Sequence, residues 1–77
     1  MSRLQLLPYR DLARVVEMAG FRWVRRRGSH CTFQSPDGRV VVIPDHGSKS
    51  IVRPLLRRIV RDVGLTVEEY NRLVDLL

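Results

Sequence analysis

Only one cysteine, Cys31, occurs in the chain. No internal disulfide can form, and no zinc site built from several cysteines is available. Long apolar runs are missing too. The longest, Val40-Val41-Val42-Ile43, falls far short of the roughly 20 residues that span a bilayer. The N-terminal stretch through Pro8 carries a short apolar patch without signal-peptide architecture, so the cytoplasm is the expected location. Repeats, low-complexity tracts and linkers are absent, and acidic residues are scarce, 8 against 14 basic ones.

The 77 residues suffice for one domain, expected to span residues 1–77. A chain this short buries only about 60% of its unfolded surface. That leaves no room for a deep cofactor pocket beside the core, and no cofactor is expected. Apolar residues at 44% and charged ones at 29% suit a globular chain.

The net charge of +6 is unevenly spread. From Gly20 to Arg61 there are ten basic side chains and two acidic ones, Asp37 and Asp45, for +8. The residues before Gly20 sum to +1, and those from Asp62 onward to −3. A positive field concentrated in mid-chain is the footprint of a polyanion-binding surface. Lys49 is the only lysine; the other 13 basic residues are arginine, whose planar fork suits bidentate phosphate contacts. A GC-rich coding sequence accounts equally well for that ratio, but not for where the charges sit.

Apolar periodicity and turn residues predict the elements in order. Leu12, Val15, Val16 and Ala19 form one stripe of a helix over 9–19, with Pro8 at its start and Gly20 as its stop. Strands follow at 21–26, 30–35 and 39–43, separated by Gly28-Ser29 and by Ser35-Pro36-Asp37-Gly38. In the second strand Cys31 and Phe33 are expected to be buried, with His30, Thr32 and Gln34 on the opposite, polar face. The apolar third strand leaves its facing open. After a polar loop at 44–50, a second helix is expected over 53–63, with stripe Leu56, Ile59, Val60 and Val63. Thr66-Val67-Glu68-Glu69 reads as a capping box opening a short last helix with stripe Tyr70, Leu73, Val74 and Leu77. The expected fold is α+β, a two-layer α-β-β-β-α sandwich with a short extra C-terminal helix and one open sheet face.

The chemistry centres on Arg25-Arg26-Arg27-Gly28-Ser29-His30. An unperturbed imidazole titrates near about 6.5 and exchanges protons at cellular pH. RNA carries its own nucleophile, the 2′-hydroxyl, beside the scissile phosphate. A histidine there can deprotonate that hydroxyl or protonate the leaving 5′-oxygen. The arginines would hold the phosphate and stabilise its developing charge, with no metal required. Against this stand ordinary roles: a surface histidine as spectator and an arginine run as a solvated face. His46 is either a partner acid or phosphate ligand, or a loop histidine bonded to backbone. Lys49 either contacts phosphate or is solvated, and Trp23 either stacks on a base or packs. A metal site from His30, Cys31, Asp45 and His46 is disfavoured, because neighbours on a strand point to opposite faces.

Ala19-Gly20-Phe21, Gly28-Ser29-His30, Pro36-Asp37-Gly38-Arg39, Ile43-Pro44 with His46, and Val63-Gly64-Leu65-Thr66 with Glu68-Glu69-Tyr70 occur in that order. In this combination the chain resembles the HicA family of toxins from bacterial toxin–antitoxin systems, from about Leu12 to Leu73. The resemblance implies a fold like that of double-stranded-RNA-binding domains and a metal-independent mRNA interferase, an endoribonuclease that arrests translation. It implies that His30 is catalytic and that a HicB-like antitoxin masks the site. Arg25, Arg26, Arg27, Gly28, Ser29, His46 and Lys49 are the expected RNA-binding residues. One departure is Pro54-Leu55, where many members carry Gly-Thr or a similar step. The competing reading is a non-catalytic RNA-binding module on the same basic face, and a third is a pure protein-interaction domain.

Overall fold

A computed structural model describes residues 3–77. Helix α1 spans Tyr9–Met18. Pro8 stands just before it in extended conformation, and its carbonyl accepts the Leu12 N–H at 3.0 Å. The helix stops because Gly20 takes φ of 100°, open to glycine at little cost. That turn lets Gly20 N–H reach the Glu17 carbonyl and Phe21 N–H reach that of Val16. Both apolar partners of this Schellman closure, Val16 and Phe21, are buried. Phe21 therefore serves the helix end and the core rather than opening the first strand.

Strands β1 (Arg22–Arg27), β2 (His30–Gln34) and β3 (Val40–Pro44) form an antiparallel meander in that order. The second turn is held by Ser35, whose Oγ accepts from Arg39 N–H at 3.1 Å and bonds to the Asp37 carboxylate. Cys31, Phe33, Val41 and Ile43 point inward and are buried, while Val40 and Val42 remain 51% and 44% exposed. The third strand's ambiguous facing is thus resolved by alternation.

Helix α2 spans Arg53–Val63 and lies against β3; α1 packs against β1, β3 and α3, which spans Val67–Val74. Leu12, Val15 and Val16 from α1 and Leu56, Ile59 and Val60 from α2 meet the inner strand residues in one core. The element order is the expected α-β-β-β-α with a short C-terminal helix. The capping box also forms: Glu69 N–H donates to Thr66 Oγ1 at 3.0 Å, and Thr66 N–H donates to Glu69 Oε1 at 2.8 Å. Hydrogen bonds from Thr66, chiefly from its backbone N–H, hold the Glu69 carboxyl below its usual range.

One feature of the fold has no periodic signal in the sequence. Residues 3–8 run as a strap across the helices. Leu4 and Leu7 are buried. Fully buried Tyr70 donates its hydroxyl to Gln5 O at 2.7 Å, Asn71 Nδ2 donates to Arg3 O at 2.8 Å, and Arg53 Nη1 donates to Leu4 O at 2.8 Å. Ile51 N–H donates to Leu7 O at 2.9 Å beside a bridge between Pro8 and Ser50. Helix α3 thereby pins the strap that lies over α2. Among the described residues, no helix is long and apolar enough to cross a membrane.

Candidate functional site

The site is made by strand register. Trp23 pairs with Phe33 and Arg25 with Thr32, leaving Val24 as the extra residue of a β-bulge. Cross-strand partners share a face. Arg22, Arg25 and Arg27 therefore stand on the outer face beside Gln34, Thr32 and His30. Trp23 and Arg26 take the side of Phe33 and Cys31. Strict alternation through Val24 would have put Arg25 and Arg27 on the face of Trp23. The bulge reverses this.

Arg27 and His30 close the turn between the first two strands. Gly28 has φ of 60° and Ser29 an ordinary negative φ, the pattern of a type II′ hairpin turn with glycine first. Exposed His30 lines a shallow depression of about 300 Å³ with Arg25, Arg27, Thr32 and Val42. Two guanidiniums and one imidazole thus share one open surface, and each carries N–H groups of the kind that can donate to an oxyanion.

Arg26 is held elsewhere. Its Nη2 lies 2.5 Å from Asp45 Oδ2, and its guanidinium sits 6.0 Å from the centre of the Tyr9 ring. Hydrogen bonds from Arg26 and from Gly47 N–H hold the Asp45 carboxyl below its usual range. Burial, reinforced by the neighbouring Cys31 thiol, pushes the Tyr9 hydroxyl well above its usual range. Asp45 N–H also donates to Ser29 O at 2.6 Å. This cluster ties the loop after β3 to the turn that presents His30, so the three-arginine run is split between an outer shelf and a structural clasp.

The other expected contacts lie apart from His30. His46 and Lys49 are exposed in the loop after β3, with Lys49 N–H donating weakly to His46 O at 3.4 Å. Neither lines the surface around the imidazole. Gly28 and Ser29 shape the turn. Trp23 is 52% exposed at the far end of the sheet, beside Arg22, Gln34 and Pro36. Cys31 is fully buried on the face opposite His30.

A second surface reaches His30 that sequence reasoning passed over. It is a groove of about 350 Å³ between the outer side of β3 and α2, with Leu55, Arg58, Ile59 and Asp62 on the helix side. The basic residues of α2 were legible as its wet face, but their approach to His30 depends on how the helix packs on β3.

A family model described as HicA toxin of bacterial toxin–antitoxin matches residues 9–65. The chain belongs to the HicA toxin family. The search of curated proteins found no match. The HicA match begins at the first residue of α1 and ends just beyond α2, so it encloses the whole sheet and His30. As a HicA protein, the chain is the toxin of a toxin–antitoxin pair and has an antitoxin partner. The residues of this HicA chain that strap its N-terminus to α3 lie outside the matched span.

Proposed function

We propose that the protein is a metal-independent endoribonuclease that cleaves mRNA, arrests translation in the cytoplasm and is neutralised by a HicB-like antitoxin. The observation that carries this reading is the sharing of one open surface by His30, Arg25 and Arg27. Arg25 and Arg27 hold the non-bridging oxygens of the scissile phosphate. His30 performs one of the two proton transfers, at the attacking 2′-hydroxyl or at the departing 5′-oxygen. The 2′-oxygen forms its bond to phosphorus as the 5′-oxygen leaves, giving a cyclic 2′,3′-phosphate and a 5′-hydroxyl end. Charge building on the phosphoryl oxygens is met by the two guanidiniums, whose backbone positions are set by strand pairing.

The antitoxin reading uses the same exposure. A partner laid across the open sheet face covers His30 without needing to unfold the toxin. His30→Ala separates catalysis from binding. It is expected to abolish RNA cleavage and growth arrest while retaining RNA affinity. Equal cleavage and equal toxicity in wild type and His30→Ala remove His30 from catalysis. Absence of cleavage by wild type, with RNA bound, leaves an RNA-binding module in place of an enzyme.

A further inference from the structure

The groove beside His30 mixes polar and apolar surface, and it includes two exposed valines, Val40 and Val42, on an outer sheet face that is normally polar. Exposed Val40 and Val42, with buried Pro44 at their end, form one wall, and half-buried Leu55 of α2 forms the other, with core residue Ile59 beneath it. At its rim stand His30, Arg58 and Asp62. Arg58 and Asp62 are one helical turn apart, with Nε 3.9 Å from Oδ2 and both side chains well exposed. Such a loose surface pair contributes little and is readily given up to a ligand.

We infer that this groove is a nucleobase subsite, which takes the base flanking the phosphate held by Arg25, Arg27 and His30. The inference rests on RNA being the ligand of that shelf. His30 lines both surfaces, so a phosphate within its reach places the adjoining nucleotide over the groove. The two surfaces differ in the way a nucleotide does. The shelf carries two guanidiniums and no carboxylate, which suits a charged backbone, while the groove balances Arg58 with Asp62 and adds valine and leucine side chains, which suits a flat, neutral ring. Bases of single-stranded RNA are bound in this manner, splayed onto apolar or arginine surfaces and read along their edges. Asp62 repels a phosphate, which keeps the backbone on the arginine side. Its carboxylate accepts only, and so favours a base edge with an exocyclic amino group over that of uracil, whose one edge donor, N3–H, is flanked by two carbonyl oxygens. Cytosine, adenine and guanine carry the amino group; uracil does not. The Arg58 guanidinium, released from Asp62, covers the outer face of the ring.

The test uses the full chain and uncleavable 2′-O-methyl tetranucleotides, so that binding is read without turnover. One internal uridine of an all-uridine tetranucleotide is replaced by cytidine or by an abasic unit. In wild type, the cytidine form is expected to bind about five- to tenfold more tightly than the uridine form, and the abasic form more weakly than both. Asp62→Ala, at an exposed position that tolerates a good helix former, is expected to bring the cytidine and uridine forms within twofold. The methyl signals of Val42, Leu55 and Ile59 should shift on binding. Equal affinity for all three RNAs in wild type overturns the subsite, as does a cytidine preference that survives Asp62→Ala. Groove methyls that shift with a partner protein but not with saturating RNA also overturn it, in favour of a protein contact. Base dependence without cleavage of ordinary RNA supports the subsite while removing the enzyme reading, so the two failures are distinct.

Discussion

Replacing Arg25, Arg26 and Arg27 one at a time by alanine tests the register of β1 through the salt dependence of RNA binding. Each phosphate contact on single-stranded nucleic acid contributes a slope of about 0.7 in log affinity against log salt. Arg25 and Arg27 share the outer surface with His30, whereas Arg26 is engaged by Asp45 and Tyr9 on the other side of the sheet. Arg25→Ala and Arg27→Ala should each flatten the slope by about 0.7, and the double variant by about 1.4. Between 50 and 200 mM salt, each contact accounts for an extra two- to threefold of affinity lost, and the pair for about sevenfold. Arg26→Ala should leave the slope at the wild-type value and instead lower the melting temperature, because Asp45 loses its partner. Fluorescence titrations of a short labelled RNA at five salt concentrations, with a melting curve for each variant, supply both readouts. A slope that falls as much for Arg26→Ala as for Arg25→Ala would refute the assignment of faces, and with it the role given to the bulge at Val24.

Three further expectations concern the scaffold that presents this surface. At Gly64, φ is 91° and an added Cβ would meet Arg39 Nη1 at 2.5 Å, displacing a guanidinium that donates to Val63 O and lies over the Phe21 ring. Gly64→Ala should therefore cost about 2–4 kcal/mol, from left-handed strain plus the lost cap, and unfolding in urea of this variant, Arg39→Met and the double variant should show clear non-additivity. Tyr70→Phe removes the hydroxyl that donates to Gln5 O; a loss of about 1 kcal/mol, or roughly 4–8 °C in melting temperature, is expected, and an unchanged melting temperature would mean that the strap is not held by this bond. Asp45 has its carboxyl held low by Arg26 and Gly47 N–H, so its contribution is present above the unfolded value near about 4 and is lost as pH falls through the lower folded value. The melting-temperature gap between wild type and Asp45→Asn should accordingly be constant from pH 7 to 5 and close on further acidification, and a gap that persists undiminished at pH 2 would contradict the ion pair as its source.

Much of the fold was legible because its signals are local. The stripes of α1 and α2, the glycine stop at Gly20, the Pro-Asp-Gly turn and the Thr66–Glu69 box each act within a few residues, and each forms. Element ends moved by a residue where a tertiary partner intervened: Phe21 left the first strand to close α1 against Val16, and Pro44 extended the third by pairing with His30. The outward facing of His30 was also legible, since Cys31 and Phe33 fix the phase of β2. No such phase exists in β1, where Arg-Trp-Val-Arg-Arg-Arg has no apolar alternation and every residue is exposed.

What the sequence by itself determined, then, is the element order, the meander, the open face carrying His30 and the positive field of the middle of the chain. Periodicity, turn chemistry and charge are properties of residues close together in the chain, so they survive without knowledge of packing. Only the tertiary structure decided which arginines join His30, because one unpaired residue at Val24 inverts the alternation on which such an assignment depends. It alone brought Arg58 and Asp62 of α2 to the same histidine, through packing of the helix on β3. It alone tied residues 3–8 to Tyr70 and Asn71, some 65 positions away. Contacts at that separation are set by the closing of the whole core.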